Sequence, residues 1–254
     1  MFWFKPVEIT VDCFTDNPML YNNYMIDKAS KFFPEEIKQM PNYVQLKQNH
    51  NPISELMQDM PTIRRCVGVK DLFSHGYILP AWSDIKIEVT EQGNLFYTDS
   101  VSGVSGNLTL QQHDRIQYGS GIYKDRVHIK LLCPWYLTEK TGVKFTWNMC
   151  DWHRTDTADD IRILSGILDF KYQHQLNVNA FVRKGSMIEY NTGDPLVHMI
   201  PITDKKVNLK YHLIDEQEYH RLTRNTMIET SYSNHRKLKA YDVTEKKCPF
   251  GFGK

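Results

Sequence analysis

Residues 168–182, LDFKYQHQLNVNAFV, decide the fold. Leu168, Phe170, Tyr172, His174, Leu176, Val178, Ala180 and Val182 take the even positions, while Asp169, Lys171, Gln173, Gln175, Asn177 and Asn179 take the odd ones. Side chains along a strand point alternately to opposite faces, so this period predicts one long strand with a core face and a wet face. His174 is the exception on the core face.

The same alternation recurs outward from this stretch. Upstream, Val143, Phe145, Trp147 and Met149 share a face, as do Val127, Ile129 and Leu131, Ile85, Ile87 and Val89, and Val7, Ile9 and Val11. Downstream, a short strand at 187–190 and the turn Asn191-Thr192-Gly193-Asp194-Pro195 lead to 196–202, LVHMIPI. Apart from His198 that segment is apolar on both faces, which suits a central strand ended or bulged by Pro201. Val207, Leu209, Tyr211 and Leu213 give a further inward face. No alternation of strands with helices is present, so the expected fold is mainly β, an antiparallel β-sandwich or jelly roll.

Helices are expected only towards the ends. Prolines at 18, 34, 41, 52 and 61 divide residues 16–61 into an irregular capping arm, with short helices at 34–40 and 52–60 started by proline and acidic residues. Residues 62–73 read as a short helix or extended connector, and residues 100–121, rich in Ser, Gly and Gln, as a loop. The division is one β-domain over 1–214, arm included, followed by a C-terminal helix and a basic tail over 215–254 that frays or needs a partner.

The bulk numbers bound the function. With 31 basic and 30 acidic residues the formal charge is +1, which offers no global field for nucleic acid or an anionic membrane. The five cysteines are scattered without a CxxC spacing, arguing against a disulfide framework or structural zinc and for a reducing compartment. No signal-peptide pattern and no long apolar window is present, so the expected location is cytoplasmic, not secreted.

The candidate chemistry is sparse. His174 and His198 fall on core faces of neighbouring strands, and Asp194 lies close to His198. Such a set would suit a transition-metal centre inside a jelly roll, although no histidine has an acid two residues on, as the facial-triad motif of iron oxygenases requires. Core histidines hydrogen-bonded to their neighbours explain the same pattern. Cys150 lies three residues from His153, but scattered cysteines serve mostly as small buried hydrophobes. No phosphate loop or serine elbow is found. Trp82, Trp135, Tyr136 and Trp152 sit in or beside turns, where aromatic anchors make protein or sugar contacts or plug the end of a sandwich.

Three phrases, MFWFKPVEITVDCFT at 1–15, GYILPAWSD at 76–84 and GDPLVHMIP at 193–201, resemble an uncharacterised family encoded by tailed phages, especially those of marine cyanobacteria. The similarity spans about residues 1–215 and implies a viral protein working in the host cytoplasm or the virion. It assigns no residue a role. The expected function is a non-enzymatic protein-interaction or virion-associated module that needs no cofactor and binds a protein partner or a second copy. The alternative is a metal-dependent, cupin-like enzyme such as an oxygenase, using His174, His198 and a carboxylate.

Overall fold

The structure, a computed structural model, describes residues 8–44, 59–100, 109–119, 123–153, 159–224 and 232–246. It is mainly β, and all but one of its strand pairings are antiparallel.

The 168–182 stretch is not one strand. Gly166–Asp169 pairs with Lys144–Met149, whereas Val178–Arg183 pairs with Arg126–Leu131 in a different sheet. Between them the chain turns at Asp169, whose carbonyl accepts from the amides of Tyr172 (3.0 Å) and Gln173 (2.9 Å). Phe170 and Leu176 are still fully buried within the crossing, so a two-residue period in hydrophobicity persists where the backbone is not extended.

Five sheets result. The five-stranded one runs Gly166–Asp169, Lys144–Met149, Pro195–Pro201, Tyr77–Pro80 and Asp27–Lys28, with Pro195–Pro201 in the middle as its two-sided apolarity required. Pro201 ends that strand, where a missing N–H costs least. The four-stranded sheet runs Ile161–Ile163, Val178–Arg183, Arg126–Leu131 and Leu110–Gln112. A three-stranded sheet joins Ser186–Tyr190, Ile85–Val89 and Leu95–Asp99. Another places Ile9–Thr15 between Tyr136–Thr138 and Val207–Leu213, and its pairing with Val207–Leu213 is parallel, against expectation. The fifth is the two-residue pair Tyr43–Val44 and Met60–Pro61.

One continuous cluster of buried side chains draws on the first four sheets, from Val11 and Cys13 through Ile87, Ile129 and Phe145 to Val182 and Val197. Trp82 and Trp135, with Tyr136, were expected at a contact surface but are 2 %, 0 % and 5 % exposed. The two indoles have no hydrogen-bond partner for Nε1 among the described residues. That omission costs about 1–3 kcal/mol per ring, against roughly 4–6 kcal/mol from burying 150–250 Å² of aromatic surface, so plugging the core wins.

The arm carries the helix Glu35–Gln39 where proline and acids marked its start. Ile37 of that helix packs with Val69 and Phe73 of the helix Val67–Ser74, supported by Phe33 and Leu72. The second expected arm helix, 52–60, falls almost wholly outside the described residues. Of the expected loop, 101–108 and 120–121 lie outside the described residues; within 109–119 the chain forms the strand Leu110–Gln112 and the helical turn Arg115–Tyr118, started by an Asp114–Gln117 capping box. At the C-terminal end, Asp215 caps the helix Glu216–Thr223, and Tyr232–Lys246 is a second helix in place of the expected frayed tail.

Candidate functional site

A cavity of about 900 Å³ is a cleft between the arm and the rim of the sheets. Its arm wall holds Phe32, Phe33, Glu35 and Glu36, and its opposite wall is formed by Trp152, Met187, Glu189 and Asp194. The arm wall is fixed because Ile37, next to Glu36 in the same turn, is buried, which turns the acidic start of that helix outward. Trp152 sits in the tight turn Asp151–His153, closed by the His153 amide donating to the Cys150 carbonyl at 3.1 Å. It is 41 % exposed, the only one of the four aromatic candidates at the surface.

His153 ties the two walls together. Its Nε2–H donates to the Phe32 carbonyl at 2.5 Å, which fixes the tautomer and leaves Nδ1 as a buried lone pair with no partner among the described residues. Phe73 then meets three rings: Phe33 edge-on at 4.9 Å, His153 edge-on at 5.6 Å and His198 stacked at 6.4 Å. His198 donates from Nε2 to the His75 carbonyl at 2.8 Å. Burial pushes the pKa of both histidines below the ordinary imidazole value, more than their backbone bonds raise it, so both are neutral at pH 7.

The sequence candidates separate accordingly. Asp194 lines the cleft, but its Oδ2 accepts the Asn191 amide at 2.8 Å and holds the 191–194 turn. His198 lies beneath the cleft, in a pocket of about 60 Å³ shared with Cys150, Trp152 and His153. His174 belongs elsewhere: its Nδ1 donates to the Leu137 carbonyl at 2.9 Å and its ring stacks on Tyr136 at 4.9 Å. The two histidines therefore commit ring nitrogens to carbonyls in different places, Leu137 in the strand Tyr136–Thr138 and His75 at the end of the helix Val67–Ser74. Among the described residues no group of three or more His, Cys, Asp or Glu is placed to hold a metal ion. Cys150 is buried, and burial pushes its thiol far above the ordinary value, so it is not a nucleophile at neutral pH.

Among the described residues the cleft lining has no Lys or Arg but four carboxylates, Glu35, Glu36, Glu189 and Asp194, set among Phe32, Phe33, Met40, Ile63 and Trp152. Glu35 pairs with Lys38 at 3.0 Å and Glu189 with Lys86 at 3.0 Å, while Glu36 forms no ion pair among the described residues. Reading the sequence pointed to Trp152 and Asp194 but missed the facing wall, because Phe32 to Glu36 lie more than a hundred residues away. The only signal was the acidic helix start after Pro34. No helix among the described residues is long and apolar enough to cross a membrane. No protein-family model matches the chain, and no curated protein matches it either.

Proposed function

We propose that this is a non-enzymatic interaction module, a β-sandwich whose cleft beside Trp152 grips a basic, apolar segment of a partner protein. The observation that carries the reading is the cleft lining, in which an exposed indole and several apolar side chains are mixed with four carboxylates and, among the described residues, no Lys or Arg. Aromatic anchors supply most of the binding energy at such surfaces, and complementary charge selects the partner and speeds its arrival. In the phage setting implied by the sequence resemblance, the partner is a protein of the particle or of the infected host cell.

The test is calorimetry on the full chain with two peptides of equal length, one alternating Leu with Lys and one alternating Leu with Glu. The Lys peptide should bind, weaken as salt is added, and lose about tenfold or more in affinity with Trp152→Ala or Glu36→Lys. Equal affinity for the two peptides, or binding unchanged in both variants, would sink the reading. A dimer in sedimentation that dissociates on Trp152→Ala would assign the cleft to a second copy instead. Stoichiometric iron or another transition metal, lost on His198→Ala, would overturn the non-enzymatic assignment.

A further inference from the structure

A second cavity, of about 480 Å³, is independent of the cleft and is shared by two sheets. His128, Lys130 and Asn179 line it from the four-stranded sheet, Trp147 and residues 166–168 from the five-stranded one, and Gln173 and Asn177 from the crossing between them. Its size falls in the usual range for small-molecule sites.

Two buried polar atoms of this lining lack hydrogen-bond partners among the described residues: His128 Nε2 and Asn177 Oδ1. The first follows from strand register. Gln112 stands opposite Ile129, and the pairing continues as the His113 amide donates to the His128 carbonyl at 3.1 Å, which makes the two imidazoles cross-strand neighbours. Their Nδ1 atoms lie 3.0 Å apart, so one must donate to the other. Whichever ring carries that proton, Nε2 of His128 is left over, either as a donor or as a lone pair. Asn177 spends its Nδ2 on Gln175 Oε1 at 3.1 Å, which leaves its carbonyl oxygen open. His128 is 7 % exposed, so bulk solvent does little for it. An unsatisfied buried atom is destabilising, and the fold tolerates two in the lining of one cavity.

Water alone could satisfy such atoms, but charge selects further. Among the described residues no Asp or Glu lines the cavity, Lys130 does, and the His113–His128 pair can take up a proton. The acceptor on Asn177, with the carboxamides of Gln173 and Asn179 and the Ser165 hydroxyl, suits a ligand that offers hydroxyl groups. We propose that this cavity binds a small hydroxylated anion of sugar size, its phosphate or carboxylate on Lys130 and the histidine pair and its hydroxyls on the carboxamides. Burial lowers the pKa of Lys130, His113 and His128 alike, and for His128 the charge of His113 adds to it. The rings of Tyr118 and Phe181 also pack on His128. A bound anion favours the protonated form of Lys130 and one positive charge on the histidine pair, whose facing Nδ1 atoms share a single proton, so binding takes up protons and tightens as the pH falls.

Three probes on one carbon skeleton test this by calorimetry on the full chain: glucose, gluconate and glucose 6-phosphate. At least one of the anions should bind about tenfold or more tightly than glucose. Lys130→Gln and Asn177→Ala should each weaken it by a similar factor, while Trp152→Ala in the other cleft should not. Circular dichroism confirms that each variant is folded. Preference for gluconate identifies a carboxylate ligand and preference for glucose 6-phosphate a phosphate ester. The proposal fails if none of the three binds, if glucose matches the anions, or if Lys130→Gln binds like the wild type.

Discussion

Lys239 of the C-terminal helix stands 3.1 Å from Asp169, whose side chain is only 9 % exposed against 38 % for the lysine. The same ammonium lies 5.4 Å from the centre of the Tyr172 ring, and His235 meets that ring edge-on at 5.6 Å. The helix is therefore docked on the turn where the chain crosses between sheets. Removing the lysine leaves a buried carboxylate uncompensated, so Lys239→Met should cost about 1–2 kcal/mol, below the range for fully buried pairs because Lys239 is partly solvated. Adding Asp169→Asn should recover much of it. Urea unfolding of the two single variants and the double variant measures this, and hydrogen exchange in residues 232–246 should rise in Lys239→Met.

Histidine burial sets an acid limit on stability. His128 is pushed down to about 4 from an ordinary 6.5, and burial likewise lowers His153 and His198. An unfolded chain takes up these protons first, so stability is full above pH 6.5 and falls as the pH drops from there through about 4. After allowance for solvent screening, His128 should account for about 1–2 kcal/mol of the loss. Urea midpoints at several pH values should show the decline, and His128→Asn should flatten it.

Gly76 enters the strand Tyr77–Pro80 at φ +78, and a Cβ there would overlap the carbonyl oxygen of Met199 in the neighbouring strand. Backbone cannot retreat as a flexible side chain can. Gly76→Ala should therefore cost about 2–4 kcal/mol, from the left-handed conformation and the clash together. Gly166→Ala is the control: a Cβ there meets nothing within 4 Å, and thermal unfolding should show a change within about 0.5 kcal/mol.

Glu139 is 4 % exposed and accepts three backbone N–H groups, from Thr141, from Gly142 at 2.6 Å and from Val143 at 3.1 Å. Glu139→Ala removes the acceptor of all three donors, of which that of Val143 is buried, and should cost about 1–3 kcal/mol. Glu139→Gln should also destabilise, because one of its two terminal atoms becomes a donor facing other donors. The order wild type, Gln, Ala in denaturant midpoint checks the assignment.

The mainly β character and most strands were legible because Val, Ile and Phe alternate with polar residues wherever one face is buried. The crossing at 170–177 was not, since Phe170 and Leu176 are buried for reasons of tertiary packing that mimic strand periodicity. Asp169 looked like a wet-face residue and is instead a buried carboxylate matched by Lys239, seventy positions on. Turn-adjacent aromatics gave a mixed result: Trp82 and Trp135 are plugs, and Trp152 is exposed. The cleft itself was illegible because its walls come from distant segments, while Trp152 and Asp194 on one wall were visible from turn chemistry alone.

The strand Ile9–Thr15 meets its parallel partner Val207–Leu213 in a register that joins residues about 200 positions apart. On a translating ribosome, at about 5–20 residues per second, that partner emerges roughly 10–40 s after the first strand. Tyr136–Thr138 is synthesised earlier and can occupy one edge in the interval. The other edge waits, and an unpaired apolar strand is a template for association with other chains. The parallel pairing of this sheet therefore forms only after translation has passed Leu213, so a chain cut short before Val207 would keep that edge of Ile9–Thr15 open.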